Sequence, residues 1–229
     1  MMKNNSRILV LGGGKTGASL CRYFIRQGCR ISVYDTRVEP PEIKTIKNLS
    51  SDIRFMTGEL DPDIVREFDL VAVSPGISMH DPLVVNAKKS GKEVIGDLEL
   101  LYRSRKDKGI IAITGSNGKS TVTALVHAIL CEAGIHAEIG GNFGTPVLDL
   151  DSKAEVFVLE VSSFQLELIK DFTCEVGMVL NVSPDHLDRY RNFDEYRLIK
   201  ERLYLHTEIP VINQDDKDMR RFITNRSIV

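Results

Sequence analysis

A glycine-rich loop between an apolar run and a helical segment places the strongest constraint on this chain. The apolar run Ile110–Thr114 leads into the loop Gly115–Thr121, and a helical pattern extends from Lys119 to Ala133. The order strand, glycine loop, helix is typical of phosphate-binding units, because loop N–H groups and the positive end of the helix point at the same place. The sequence therefore predicts an α/β unit built on a parallel sheet in this half of the chain.

The residue types in this loop each suit a role in binding phosphate. Glycine lets the backbone turn, Lys119 supplies a cation for the β- and γ-phosphates, and the Ser120 hydroxyl can bind Mg²⁺. The longer form of the motif has a glycine where Ile113 stands, so the match is partial. The competing interpretation is an ordinary glycine turn before a helix. We predict that the whole loop binds the phosphates of ATP: Gly115, Ser116, Asn117, Gly118, Lys119, Ser120 and Thr121.

A second glycine-rich loop lies near the start of the chain. Gly12–Gly17 fits G-x-G-x-x-G, follows the apolar run Arg7–Leu11 and opens a helical pattern, while Asp35 ends the next strand. This arrangement predicts a diphosphate resting on a helix N-terminus. NAD and a UDP-linked ligand satisfy that geometry equally, and a glycine turn without a ligand is the third interpretation. One nucleotide site in each half indicates an enzyme that uses ATP on a nucleotide-linked substrate.

The alternation of strand and helix patterns occurs twice, with the charged stretch 102–109 between the two series. We predict a Rossmann-like domain with a parallel sheet over residues 1–96, and a P-loop ATPase-type α/β central domain over 97–229. The second series is incomplete, since no clear closing helix follows its last strand. Its predicted elements after Lys119–Ala133 are strands at Val156–Glu160, Val176–Val182 and Pro210–Ile212, and helices at Phe164–Ile169 and Phe193–His206.

The composition is that of an ordinary folded protein. Of 229 residues, 42% are hydrophobic and 27% charged, so a packed core is expected. The net charge of −2 disfavours a generally basic surface for nucleic acid. No pair among the four cysteines has C-x-x-C spacing, which disfavours a zinc or redox motif. No apolar run approaches the length of a membrane span. We expect a monomeric cytoplasmic protein that binds neither nucleic acid nor membrane.

Several segments together resemble the motifs of one enzyme family, the Mur ligases. In the second half these are Ile113–Thr121, Gly140–Gly144, Leu159–Gln165 and Asn181–Asp188. In the first half, Leu11–Gly17, Asp35–Arg37, Ser74–Ile77 and Gly96–Glu99 look like the motifs of the branch that adds D-glutamate. The motifs run in family order over nearly the whole chain.

The resemblance implies a reaction in peptidoglycan precursor synthesis. ATP phosphorylates the carboxylate of UDP-N-acetylmuramoyl-L-alanine, and the amine of D-glutamate attacks the acyl phosphate. The tetrahedral intermediate then collapses to an amide and phosphate. The family also has a further part of the central domain and a third domain, which carry the adenine contacts and most of the D-glutamate site. We therefore expect an N-terminal fragment with little or no ligase activity of its own.

By the same resemblance, individual positions receive roles. Lys119, His186 and Lys200 would be catalytic, and Lys200 matches a lysine that carries a carbamate in the family. Two Mg²⁺ sites are implied, one at Ser120 and Glu160 and a second at His186 and Lys200. The substrate-binding residues would be Lys15, Thr16, Asp35, Thr36, Arg37, Gly76, Asn142 and Gln165.

Simpler interpretations of these positions also stand. Glu160 fits a salt-bridged acid at a strand end, His186 fits the first residue of a helix, and Lys200 on residue type alone fits a solvated lysine.

Three other functions are open as well. The first is an NAD-dependent oxidoreductase, based on Gly12–Gly17 and Asp35. The second is a non-catalytic nucleotide-binding regulator, and the third is a different Mur ligase, such as the one that adds L-alanine.

Overall fold

The computed structural model describes residues 4–229, which divide after Leu100 into two compact units. Residues 1–3 of the predicted first domain lie outside the described residues. Each unit contains one five-stranded sheet whose strands are all parallel. Two parallel α/β sheets are the fold class that the sequence predicts. Within residues 4–229, no helix combines the length and apolar character that crossing a membrane requires.

The first unit has the strand order β3-β2-β1-β4-β5. The strand β1 is central, and the side chains of Ile8, Leu9, Val10 and Leu11 are at most 1% exposed. Burial on both faces of a parallel sheet explains why these strands are continuously apolar. The elements are β1 (Arg7–Leu11), α1 (Lys15–Arg26), β2 (Arg30–Asp35), α2 (Ile43–Leu49), β3 (Arg54–Thr57), β4 (Leu70–Val73), α3 (Pro82–Lys89), β5 (Glu93–Ile95) and α4 (Asp97–Ser104), with a 3₁₀ turn at Pro62–Glu67.

The second unit has the strand order β10-β9-β6-β8-β7, so β6 pairs with β8 on one side and with β9 on the other. The carboxyl ends of these three parallel strands therefore meet at one edge of the sheet. The elements are β6 (Gly109–Thr114), α5 (Lys119–Glu132), β7 (Ala137–Gly141), β8 (Val156–Glu160), α6 (Ser163–Leu166), β9 (Cys174–Val179), α7 (Phe193–Leu205) and β10 (Thr207–Val211), with 3₁₀ turns at Val147–Asp149 and Met219–Phe222.

The structure differs from the predicted elements mainly in the second unit. The strand predicted at Val176–Val182 is Cys174–Val179, and the helix predicted at Phe164–Ile169 is a single turn, Ser163–Leu166. The sequence pattern missed the edge strand Ala137–Gly141 altogether. Its two final glycines resemble a turn, yet a Cβ at Gly140 would collide with the Thr145 carbonyl oxygen. Close backbone approach, rather than a turn, requires glycine there.

Candidate functional site

The loop after β6 has the geometry of a phosphate-binding loop. Gly118 caps helix α5 with φ = 80°, a left-handed conformation that glycine adopts without steric cost. A Cβ at Gly115 would lie 3.1 Å from the Cβ of Leu180, so glycine also suits this close approach. Because the first N–H groups of a helix have no intrahelical acceptor, the start of α5 presents free donors at the carboxyl edge of the sheet.

The charged and hydroxyl groups of this loop are held in place by neighbouring atoms. The Lys119 Nζ donates to the carbonyl oxygen of Ser116 at 3.0 Å, which folds the lysine back over its own loop. The Ser120 Oγ donates to the Glu160 Oε2 at 2.6 Å. The other carboxylate oxygen of Glu160 accepts from the Asn142 Nδ2 at 2.9 Å. Register places Glu160 beside Ile113, one residue from the end of β6.

Glu160 has the chemistry of a magnesium ligand. Its side chain is 2% exposed, and its closest partners are a hydroxyl and an amide rather than a cation. Mg²⁺ takes hard oxygen ligands, typically one or two from protein together with phosphate oxygens and water. Within residues 4–229, no three His, Cys, Asp or Glu side chains cluster as a ligand set. The Ser120–Glu160 pair could supply one or two oxygen ligands to Mg²⁺.

Lys200 on α7 is buried beneath the loop Gly115–Gly118. Its side chain is 2% exposed, and its Nζ donates to the Gly115 carbonyl oxygen at 2.9 Å and lies 4.9 Å from the centre of the Tyr196 ring. The interpretation of Lys200 as a solvated lysine is thus wrong. Burial, and secondarily the positive charge of Lys119, lowers the pKa of Lys200 to about 7.

His186 lies in the loop after β9 and not in a helix. Its backbone has φ = 52°, and its ring centre is 4.8 Å from that of Phe164 and 6.0 Å from that of Tyr196. The interpretation of His186 as the first residue of a helix is therefore wrong. Since Lys200 also contacts the Tyr196 ring, the fold brings both predicted ligands of the second metal to one aromatic side chain.

Gln165 is 2% exposed and belongs to a capping box at the start of α6. Its Oε1 accepts from the backbone N–H of Ser162 at 3.1 Å, while its own N–H donates to the Ser162 Oγ at 3.2 Å. These bonds stabilise the first turn of a four-residue helix. These hydrogen bonds give Gln165 a structural role as a helix cap. Its contact with substrate stays a prediction.

The glycine loop of the first unit is organised by Asp35, which is 3% exposed. Its carboxylate accepts from the Gly13 N–H at 2.7 Å and from the Arg37 side chain at 2.8 Å through both Nε and a terminal nitrogen. A Cβ at Gly17 would collide with the Gly12 carbonyl oxygen, which explains the last glycine of the motif. The Asp35 carboxylate is thus engaged with protein donors, whereas an NAD site needs such an acid for the ribose hydroxyl.

The other predicted substrate residues of the first unit lie around the same loop. Lys15 and Thr16 begin α1, with Lys15 exposed. Thr36 and Arg37 are exposed after β2, and Gly76 is exposed after β4. Since β1 pairs with both β2 and β4 in parallel, all of these positions follow the carboxyl ends of adjacent strands. In the second unit, Asn142 is exposed just after β7.

We expect the first unit to lose stability when the Asp35–Arg37 interaction is removed. The Arg37 hydrogen bonds hold the pKa of Asp35 at about 2 in the folded state. A depressed pKa contributes stability above the unfolded value, here about 2 kcal/mol, which is lost as pH falls from about 4 to 2. Urea unfolding of Asp35→Asn should show a loss of that size at pH 7 and a flatter pH dependence below pH 4. Asp52→Asn, an exposed carboxylate of the same unit, is the control. Equal stability of Asp35→Asn and the parent at pH 7 would refute the interpretation.

Three residues near the loop Gly115–Thr121 were not predicted as site residues. Asn181 and Ser183, in the loop after β9, hydrogen-bond with Ser116 and Asn117. The Tyr196 hydroxyl lies 3.2 Å from the Ser116 Oγ. The sequence signal was available for Asn181 and Ser183, since both lie in the Asn181–Asp188 motif, but only its histidine was assigned a role.

Comparison with known proteins identifies two family domains in this chain. Residues 6–96 match the family described as Mur ligase MurD-like, N-terminal domain, and residues 113–228 match the Mur ligase middle domain. The UDP-N-acetylmuramoylalanine--D-glutamate ligase of Haemophilus influenzae (strain PittEE) is 43% identical over 214 residues, which cover 93% of this chain and 48% of the relative. That of Shewanella oneidensis is 43% identical over 218 residues, covering 94% and 50%. The chain thus spans about half the length of the curated relatives it matches.

Solved structures share the fold at low sequence identity. The UDP-N-acetylmuramate:L-alanyl-gamma-D-glutamyl-meso-diaminopimelate ligase from Neisseria meningitides aligns with a TM-score of 0.60 at 16% identity, covering 95% of this chain and 74% of that chain. The UDP-N-acetylmuramate-alanine ligase from Thermotoga maritima aligns with a TM-score of 0.57 at 21% identity, covering 95% and 51%. Two matched domains over most of the chain, with the fold of solved Mur ligases, identify this chain as a member of the Mur ligase family.

Proposed function

We propose that this chain supplies the substrate-binding and ATP-binding domains of an amide ligase that joins D-glutamate to UDP-N-acetylmuramoyl-L-alanine. The observation that carries the proposal is the 43% identity over 93% of the chain to enzymes named for this reaction. The proposed domains are residues 1–96 for the UDP-linked substrate and 97–229 for ATP. The proposal includes a monomer acting in the cytoplasm, where ATP is available.

The geometry of the second unit supports phosphoryl transfer. In the proposed reaction, a carboxylate oxygen of the substrate bonds to the γ-phosphorus of ATP and ADP leaves. The D-glutamate nitrogen then bonds to the acyl carbon, and phosphate leaves with the electron pair of the broken C–O bond and takes up the proton that the nitrogen loses. Catalysis of such transfers is mainly positioning and electrostatic stabilisation. Lys119 would neutralise the γ-phosphoryl group, and the donors at the start of α5 would orient the phosphates.

Two magnesium sites belong to the proposal. Ser120 and Glu160 would hold the first ion, since their oxygens are 2.6 Å apart and Glu160 is buried. His186 and Lys200, both against Tyr196, would serve the second, with Lys200 as a carbamate. The metal would supply charge neutralisation at the phosphate oxygens. A neutral amine is the form that can attack CO₂, and the lowered pKa of Lys200 supports its carbamylation.

In the first unit, we propose that the N–H groups at the start of α1 bind the diphosphate. Lys15, Thr16, Asp35, Thr36, Arg37 and Gly76 would line this site. Asp35 would act chiefly by fixing Arg37 and the Gly13 peptide, since its carboxylate already accepts from both. Asn142 and Gln165 would contact the substrate near the reacting carboxylate.

The test is a comparison of ligands by calorimetry. UDP-N-acetylmuramoyl-L-alanine should bind more tightly than UDP-N-acetylmuramic acid. Mg·ATP should bind at a site of its own, and UDP should not compete with it. NAD should not compete with UDP. Binding of NAD in preference to UDP would replace the proposal with a dehydrogenase. Preference for UDP-N-acetylmuramic acid over its L-alanyl form would indicate another Mur ligase. Binding of Mg·ATP without any UDP-linked ligand would favour a nucleotide-binding regulator.

A further inference from the structure

The phosphate-binding loop of this chain is short. Strand β6 continues to Thr114, with Ile113 fully buried at the position where the longer motif has its first glycine. Only Gly115 to Gly118 connect the strand to α5. A loop of this length makes few internal contacts that could fix the orientation of its peptide groups. Their orientation therefore depends on hydrogen bonds from neighbouring segments.

Backbone pairing between β6 and β9 continues past the ends of both strands. The Leu180 N–H donates to the Thr114 carbonyl oxygen at 2.9 Å, and the Ser116 N–H donates to the Asn181 carbonyl oxygen at 2.9 Å. The segment after β9 therefore runs alongside the phosphate-binding loop and remains hydrogen-bonded to it. This brings the Asn181 side chain level with Asn117.

The Asn181 side chain pairs with both polar groups of the Asn117 backbone. Its Oδ1 accepts from the Asn117 N–H at 2.9 Å, and its Nδ2 donates to the Asn117 carbonyl oxygen at 3.0 Å. The side-chain amide of Asn181 thereby continues the hydrogen-bond pattern in which a further residue of a paired strand would otherwise take part. We call these two bonds the Asn181 bridge. They fix the orientation of the peptide groups immediately before Gly118 and the first turn of α5.

Ser183 makes a second reciprocal contact with the loop. The Ser116 Oγ donates to the Ser183 carbonyl oxygen at 3.0 Å and accepts from the Ser183 N–H at 3.0 Å. The hydroxyl of Ser116 is thus engaged with protein atoms, as is the N–H of Asn117. Two loop groups predicted to contact phosphate are occupied in this way, which leaves phosphate binding to Lys119 and the donors at the start of α5.

We propose that Asn181 is a positioning residue for phosphate binding: the Asn181 bridge holds the short loop so that the first turn of α5 faces the phosphates. This inference rests on the proposed ATP site. Asn181 is itself exposed, so the bridge makes a small contribution to the fold and its main effect is on loop orientation. Removal of the bridge should weaken binding of any ligand whose phosphates are held at this loop, whatever its base.

The experiment compares Asn181→Ala with Asn213→Ala, an exposed asparagine in a turn of the same unit. Affinities for Mg·ATP and for inorganic tripolyphosphate with Mg²⁺ should both fall about tenfold in Asn181→Ala. They should not change in Asn213→Ala. Amide exchange of Asn117 should accelerate in Asn181→Ala, while its melting temperature and its affinity for UDP stay at parental values.

The outcomes separate the inference from the proposed function. If the parent binds Mg·ATP and Asn181→Ala binds it within about twofold, the inference is wrong and the ATP site stands. If affinity for Mg·ATP falls while that for tripolyphosphate does not, Asn181 does not act through the phosphates and the inference is again wrong. Failure of the parent to bind either ligand would overturn the proposed ATP site and the inference with it.

Discussion

Lys119→Met is expected to weaken binding of Mg·ATP by about a hundredfold, which corresponds to about 2.7 kcal/mol. The Lys119 ammonium lies over its own loop, bonded to the Ser116 carbonyl oxygen, and is the cation that the motif assigns to the β- and γ-phosphates. Charge-assisted contacts to phosphate are stronger than neutral hydrogen bonds, so a methionine of similar length removes most of this energy. Calorimetric titration with Mg·ATP measures the change directly.

The matched control is Lys153→Met, which removes an exposed lysine from the same unit. Its affinity for Mg·ATP should equal that of the parent. Melting temperatures should change little in both variants, because water can replace Lys119 at the part-buried Ser116 carbonyl oxygen. A Lys119→Met protein that binds Mg·ATP as tightly as Lys153→Met would show that this loop does not hold the phosphates.

Glu160→Gln is expected to abolish the magnesium dependence of nucleotide binding. In the parent, Mg²⁺ should strengthen binding of ATP, since a buried carboxylate beside the Ser120 hydroxyl offers hard anionic oxygen. In the variant, the affinity with millimolar Mg²⁺ should fall about a hundredfold, to the value measured with a chelator. Parallel titrations with Mg²⁺ and with EDTA distinguish loss of metal binding from loss of nucleotide binding.

The glutamine side chain of the Glu160→Gln variant keeps the hydrogen bonds of the folded protein, so a folding defect is not expected. Its carbonyl oxygen can accept from the Asn142 Nδ2, and its amide can donate to the Ser120 Oγ. Glu132→Gln, an exposed acid at the end of α5, is the control and should retain the full magnesium effect. If Glu160→Gln responds to Mg²⁺ as Glu132→Gln does, Glu160 is a structural acid rather than a metal ligand.

Much of the fold could be predicted because buried parallel strands have a strong sequence signal. The strands Arg7–Leu11 and Val156–Glu160 are as predicted, since each is largely a continuous apolar run ended by polar or glycine residues. The elements that were missed lack such a run. Helix Ile43–Leu49 has a single buried side chain, Ile46, and is held by its tertiary position rather than by an apolar stripe.

The candidate site was predictable only where chemistry is local in sequence. The loop at Lys119 combines glycine, cation and hydroxyl within a few residues, so its type was evident. Lys200 was ambiguous because its burial depends on residues more than 80 positions away, such as Gly115. Asn181 lies within the Asn181–Asp188 motif, but its role could not be predicted for the same reason, because its partner Asn117 is 64 residues distant along the chain.

The bonds between the loop after β9 and the phosphate-binding loop also bear on the entropy of binding. A glycine loop that is mobile before its ligand arrives must lose conformational freedom on binding, and that loss subtracts from affinity. Here Ser116 and Asn117 are already hydrogen-bonded at both backbone and side-chain atoms. The loop is therefore ordered in advance. If the loop binds phosphates as proposed, little of the free energy of that contact is lost to ordering the chain, even though the loop is shorter than the usual motif.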